Sequence, residues 1–217
     1  MQQKKEKWYE MLIKLEIDTE NIKRNLEKIK EINQNVICVL KDDAYGLGIE
    51  SILPVLINEG CLYFATAYIG EALKIKNIVK RDFPDKVGKI SVIVLNYIEE
   101  NELKKAVKNG IEITIFNFEQ LEKYVRVLKN EERIKVHMKF NTGMNRLGFD
   151  ENETRKLIEK IKVIPNIDIM SIYSHISDVG NEKETEKQIA RYERIVSIFD
   201  KNKVKYGVKH IQASPLL

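Results

Sequence analysis

A short apolar run, VICVL, ends in Lys41, and the polar, glycine-bearing stretch DDAYGLG follows at once. A lysine at a strand end is either a solvated rim residue or a cation placed for catalysis or for an anionic partner. A second stretch, IKVHMKFNTGMNRLGF, raises the same alternatives. With side chains alternating along a strand, Val136, Met138 and Phe140 form one apolar face and Lys135, His137 and Lys139 the other. An inward lysine is costly unless partnered. The glycine-bearing turn that follows brings Arg146 back toward the same end. Tyr173 and His175 share a face at the end of IDIMSIYSH, as do His210, Gln212 and Ser214 in VKHIQAS. Taken singly, each has a plain reading as a solvated, packed or turn-forming residue. Together they form a cationic bowl with hydroxyl and imidazole donors, suited to a phosphate or a carboxylate. No carboxylate–histidine spacing points to a metal.

The elements that must position these residues alternate in period. β-Branched runs occur at 36–41, 63–67, 90–95, 111–116, 134–140, 167–175 and 208–214. Between them lie Lys- and Glu-rich segments with apolar residues three and four apart, such as IGEALKIKNIVK and TEKQIARYERIVSIFDKN. The segment after the fourth run opens on an Asn117 cap in a capping-box-like pattern. Seven strands, six connecting helices and one leading helix imply parallel pairing, because parallel strands need long crossovers. No GxGxxG follows the first strand to favour a dinucleotide-binding sheet. The expectation is an α/β chain, a (β/α)8 TIM-type barrel, incomplete with about seven strands. Seven parallel strands cannot close, so the first and last edges would stay open.

The 217 residues carry 37 basic and 33 acidic side chains, interspersed, which argues against a nucleic-acid-binding stripe. Cys38 and Cys61 form no CxxC pair and read as buried free thiols of a reducing compartment. No run approaches a membrane span, and the lysine-rich start lacks a secretory pattern. The expected location is cytoplasmic.

VLKDDAYGLG resembles the segment of alanine racemases that carries the lysine bound to pyridoxal 5′-phosphate. HMKFNTGMNRLGF is similar to a longer signature of that family, and YSHISDVG and HIQAS fall where it has later histidine and serine segments. The order agrees from about residue 13 to the end. The resemblance implies that Lys41 forms the Schiff base with the cofactor and acts as one of two catalytic bases. It implies that Tyr45 and Ser214 contact the phosphate. Arg146 would reach the phenolic oxygen and the substrate carboxylate. His175 would sit beneath the ring, and Lys139, carbamylated in many members, would pair with Arg146. Three positions depart from the pattern: Asp42 stands where Ala is usual, Leu47 where His is usual, and Ala213 where Asn is usual.

The implied reaction is the interconversion of L- and D-alanine, which supplies D-alanine to the cell wall, by a cytoplasmic homodimer. Residues 1–217 would be the N-terminal barrel domain, cut before the eighth strand and before a C-terminal β-domain that supplies the second base. Two other readings stand beside it, a non-catalytic pyridoxal-phosphate-binding barrel and a racemase of another amino acid.

Overall fold

The computed structural model describes residues 15–128 and 133–211. Seven parallel strands form one sheet in chain order: β1 (Ile37–Val39), β2 (Tyr63–Thr66), β3 (Ser91–Val94), β4 (Ile111–Ile115), β5 (Ile134–Lys139), β6 (Ile167–Ser174) and β7 (Val208–Ile211). Helix α1 (Thr19–Ile32) precedes β1. One helix then joins each successive pair: α2 (Ile49–Asn58), α3 (Ile69–Asp82), α4 (Glu100–Lys108), α5 (Phe118–Leu128), α6 (Thr154–Lys162) and α7 (Glu182–Lys201). Among the described residues β1 and β7 do not pair, so the sheet is an incomplete (β/α)8 barrel.

The helices form where apolar residues recur at helical spacing and a cap is available. Asp18 starts α1 by accepting from the Glu20 and Asn21 N–H groups, and Asn181 starts α7 by accepting from Glu184 N–H. Asn117 caps α5 as expected, through the Gln120 N–H at 2.7 Å. The Gln120 side chain does not complete the box on Asn117; it accepts from Phe116 N–H at 2.9 Å instead. The helices bury Ile75 and Ile78, Leu103 and Ala106, Leu157 and Ile161, and Ile195 and Phe199 against one face of the sheet. Strand residues on that face are apolar, with Val92, Val94, Ile113, Val136, Met138 and Ile172 all fully buried. The expected apolar face of the fifth strand is therefore the helix-covered one.

Strand register lines the other face into rows. Thr114, His137 and Ser171 are neighbours across β4, β5 and β6. The next row toward the strand C-termini is Lys139, Tyr173 and His210, across β5, β6 and β7. These rows depend on a β-bulge between Val136 and His137: Val136 pairs with Ile169, and His137 pairs with Ser171, skipping Met170. The extra residue in β6 brings Ser171 and Tyr173 onto the inner face. At the two open edges the inner-face residues Val39 and Val208 are exposed.

Two strand ends differ from expectation. β1 stops at Val39, so Lys41 heads a turn rather than ending the strand. β7 is described only to Ile211, and Gln212 and Ser214 lie outside the described residues.

Candidate active site at the strand ends

Lys41 opens a turn, Lys41–Tyr45, whose backbone is left-handed from Asp42 onward. Asp42, Asp43, Ala44 and Tyr45 have φ of 54°, 51°, 58° and 56°. Left-handed backbone costs an L-residue about 1–2 kcal/mol, so four in succession must be held by their surroundings. Ala44 N–H donates to Leu40 C=O at 3.0 Å and Gly46 N–H to Asp42 C=O at 2.9 Å, while the Ala44 methyl is buried. Asp43 Oδ1 accepts from Ile49 N–H at 3.0 Å, at the start of α2, and from Lys74 Nζ at 2.9 Å. The half-buried Lys41 amine lies 5.7 Å from the centroid of the exposed Tyr45 ring.

The second group sits on β5, β6 and β7. Lys139 is buried, with Nζ 5.6 Å from the Tyr173 ring centroid. Burial, and then the Arg146 charge, pull its amine down to about 8 from the usual 10.5. Tyr173 is stacked on His210, centroids 5.0 Å apart and planes 9° apart, and its hydroxyl lies 3.3 Å from Thr114 Oγ1. Burial pushes the Tyr173 phenol up. The His210 imidazole is pulled down to about 4, first by burial and then by His137. Its Nε2 is a buried nitrogen without a hydrogen-bond partner among the described residues.

Arg146 is carried back by a closed loop. Asn141 N–H donates to Phe149 C=O and Phe149 N–H to Lys139 C=O, both at 2.9 Å. Inside the loop, Asn141 Oδ1 accepts from the Gly143 and Asn145 N–H groups, and Asn141 Nδ2 donates to Asp150. Asn145 takes the left-handed conformation that asparagine tolerates, at φ 55°. Gly148 has φ 132°, and a Cβ there would collide with the Phe140 and Asn141 backbone.

Lys139, Arg146, Tyr173 and His210 thus form one electrostatic and stacked cluster. No hydrogen bond, ion pair or ring contact among the described residues joins Lys41 or Tyr45 to it. His175 follows β6 and is exposed at the same end. Ser214 lies outside the described residues. Lys41, Lys139 and Arg146 have no carboxylate partner among the described residues, and the described residues hold no metal-capable group of His, Cys, Asp or Glu.

Below this rim the inner face holds a polar layer in which Lys135 and His137, expected on this face, meet Glu112, Ser91 and Ser171, which the sequence reading did not name. Glu112 is buried; it accepts from His137 Nε2 at 2.9 Å and from Ser91 Oγ at 2.9 Å, with Lys135 Nζ at 3.7 Å. The His137 Nε2 carries the hydrogen, because a carboxylate can only accept. Its Nδ1 lies 2.7 Å from Ser171 Oγ. The detectable signal was the alternation in IEITI, which puts Glu112 and Thr114 on the face shared with His137. Glu71, described below, had no such signal.

Residues 17–217 match the family described as alanine racemase, N-terminal domain. An alanine racemase of Fusobacterium nucleatum subsp. nucleatum is 35% identical over 190 residues, spanning 84% of this chain and 50% of the relative. The structure of the alanine racemase of Clostridium difficile 630 superposes with a TM-score of 0.78 at 26% identity, over 88% of this chain and 53% of that one. A histidine racemase from Leuconostoc mesenteroides subsp. sake shares the fold, with a TM-score of 0.77 at 21% identity over 89% of this chain and 50% of that one. The chain spans about half the length of the curated relatives it matches.

Proposed function

The chain belongs to the alanine racemase family through its N-terminal domain, and on that premise we propose that it binds pyridoxal 5′-phosphate at the strand-end rim and serves the interconversion of L- and D-alanine. The observation that carries this reading is the set of three cations, Lys41, Lys139 and Arg146, without carboxylate partners among the described residues. A cofactor bearing a phosphate, a phenolic oxygen and an aldehyde fits such a rim, and the orphaned Nε2 of His210 leaves one more buried polar atom facing this end of the sheet. When bound, the cofactor supplies an electron sink for the pair left on the substrate α-carbon as its proton departs.

The chain's own residues do the rest. Lys41 holds the cofactor through its amine and carries the α-proton on one face. Tyr45 and Ser214 bind the phosphate, His175 supports the ring, and Arg146 holds the phenolic oxygen and the substrate carboxylate. Lys139, with its amine pulled down to about 8, is more often neutral at physiological pH than an exposed lysine. A neutral amine can add to CO2, releasing a proton and leaving a carbamate anion that pairs with Arg146. The same proposal takes residues 1–217 as the barrel domain of a homodimeric enzyme whose second base comes from outside this segment. A racemase of another amino acid is the second reading, favoured by the fold shared with a histidine racemase.

Incubating the chain with pyridoxal phosphate, reducing with borohydride and mapping the modified peptide tests the reading. The expected result is a single label on Lys41, lost in Lys41→Ala. Label scattered over surface lysines, or none, overturns it.

A further inference from the structure

The left-handed turn is gripped from the neighbouring strand–helix unit by a residue outside both signature motifs. Glu71, half-buried in the first turn of α3, places its carboxylate among three backbone N–H groups. Oε1 accepts from Asp43 N–H at 3.1 Å, inside the left-handed turn. Oε2 accepts from Ala67 N–H at 3.0 Å and Tyr68 N–H at 3.2 Å, just past the end of β2. One helical turn along α3, Lys74 holds the Asp43 side chain. The Asp43 N–H has no backbone acceptor among the described residues, so the Glu71 oxygen is what satisfies it.

The handedness of the backbone reverses directly after Lys41, since Asp42 is the first residue of the run with positive φ. Whatever stabilises that run therefore sets where the Lys41 amine is presented. Release of Asp43 would let these residues, none of them glycine, relax toward right-handed backbone, carrying Lys41 away from the Tyr45 ring and from its place beside β2.

We propose that Glu71 is a positioning residue for Lys41, its carboxylate bridging the Lys41 turn to the end of β2 so that the amine is preset for covalent capture of an aldehyde ligand. This rests on the reading of Lys41 as the cofactor lysine. The two halves of the bridge use different oxygens, so Glu71→Gln retains one acceptor and loses the other, while Glu71→Ala loses both.

The test uses the 217-residue chain and its Glu71→Ala and Glu71→Gln variants, with two readouts: hydrogen exchange at the Asp43, Ala67 and Tyr68 amides, and borohydride-trapped labelling by pyridoxal phosphate, mapped lysine by lysine. In Glu71→Ala, Asp43 exchange is expected to accelerate and the half-saturating concentration for Lys41 to rise, each about tenfold or more, as for loss of a hydrogen bond to a charged group. Surface-lysine labelling and exchange in β4–β6 should stay unchanged, which a general loss of stability would not allow. Glu71→Gln should fall between, and it carries the test if Glu71→Ala does not fold. Unchanged Asp43 protection and unchanged Lys41 labelling in the variants overturn this proposal alone. Absence of selective Lys41 labelling in the unsubstituted chain overturns the reading of Lys41, and this proposal with it.

Discussion

The inner face of the sheet carries two polar layers that differ in one respect. In the lower layer every buried group has a partner: Glu112 with His137 and Ser91, and His137 with Ser171. In the upper layer, Lys139 is buried without a carboxylate, Arg146 has none, and His210 Nε2 has no hydrogen bond among the described residues. The same sheet, one row apart, supplies acceptors in the first place and withholds them in the second. A satisfied buried network specifies the packing of the strands that carry it. An unsatisfied one costs stability and is explained by a ligand that completes it. On the proposed function, the lower layer serves structure and the upper one a ligand.

Substitutions should separate the layers by sign as well as size. The largest effect is expected for Glu112→Ala, which leaves His137 buried without its acceptor and should cost about 3–5 kcal/mol in urea unfolding. Burial pushes the Glu112 carboxyl up, but His137, Ser91 and Lys135 more than offset it and leave it below the usual range. Its contribution is therefore present above the ordinary carboxyl range and lost as pH falls through the lowered value. A neutral result would break the comparison.

Lys139→Met should act in the opposite direction, stabilising the chain at pH 7 by up to about 3 kcal/mol. Below about pH 8 the lysine is charged in both the folded and unfolded chains, so the full cost of burying it is present. Between about 8 and 10.5 the folded chain gives up a proton that the unfolded chain keeps. Stability of the unsubstituted chain should rise through that window, and Lys139→Met should lack the rise. Thermal denaturation against pH reads both effects.

His210 sharpens the contrast at acid pH. Its imidazole is neutral in the fold down to about 4, whereas the unfolded chain takes up a proton near 6.5. Stability should fall as pH drops from 6.5 through about 4, and His210→Phe, which keeps a ring against Tyr173, should flatten that fall by up to about 3 kcal/mol. The smallest effect is expected for Arg133→Ala. It removes a solvent-exposed pair with Asp168 and should cost under about 1 kcal/mol in the same urea assay.

Much of the fold was readable without coordinates because it rests on local patterns. Seven β-branched runs and the helical spacing between them forecast the seven strands and their connecting helices. Alternation in IKVHMKF placed Val136, Met138 and Phe140 against the helices, and His137 and Lys139 inside. The glycines of NTGMNRLGF signalled the loop that returns Arg146. Three features carried no such mark. The left-handed run Asp42–Tyr45 contains no glycine, so nothing local distinguishes it from an ordinary turn. The bulge at Met170 depends on what pairs with β6, not on β6 itself. Glu71 looks like any surface glutamate of an amphipathic helix until the fold brings Asp43, Ala67 and Tyr68 to it.

Local pattern alone set the kinds and order of elements, the face that β5 turns inward, and the identity of Lys41, Lys139 and Arg146 as candidate cations. These follow from periodicity and residue chemistry, which act over a few residues. Which cations lack a carboxylate partner among the described residues, which carboxylate holds the lysine turn, and which histidine is satisfied there and which is orphaned were decided by the tertiary fold. Those outcomes depend on atoms brought together from residues tens of positions apart, and a polar group's partner in space is not a property of its neighbours along the chain.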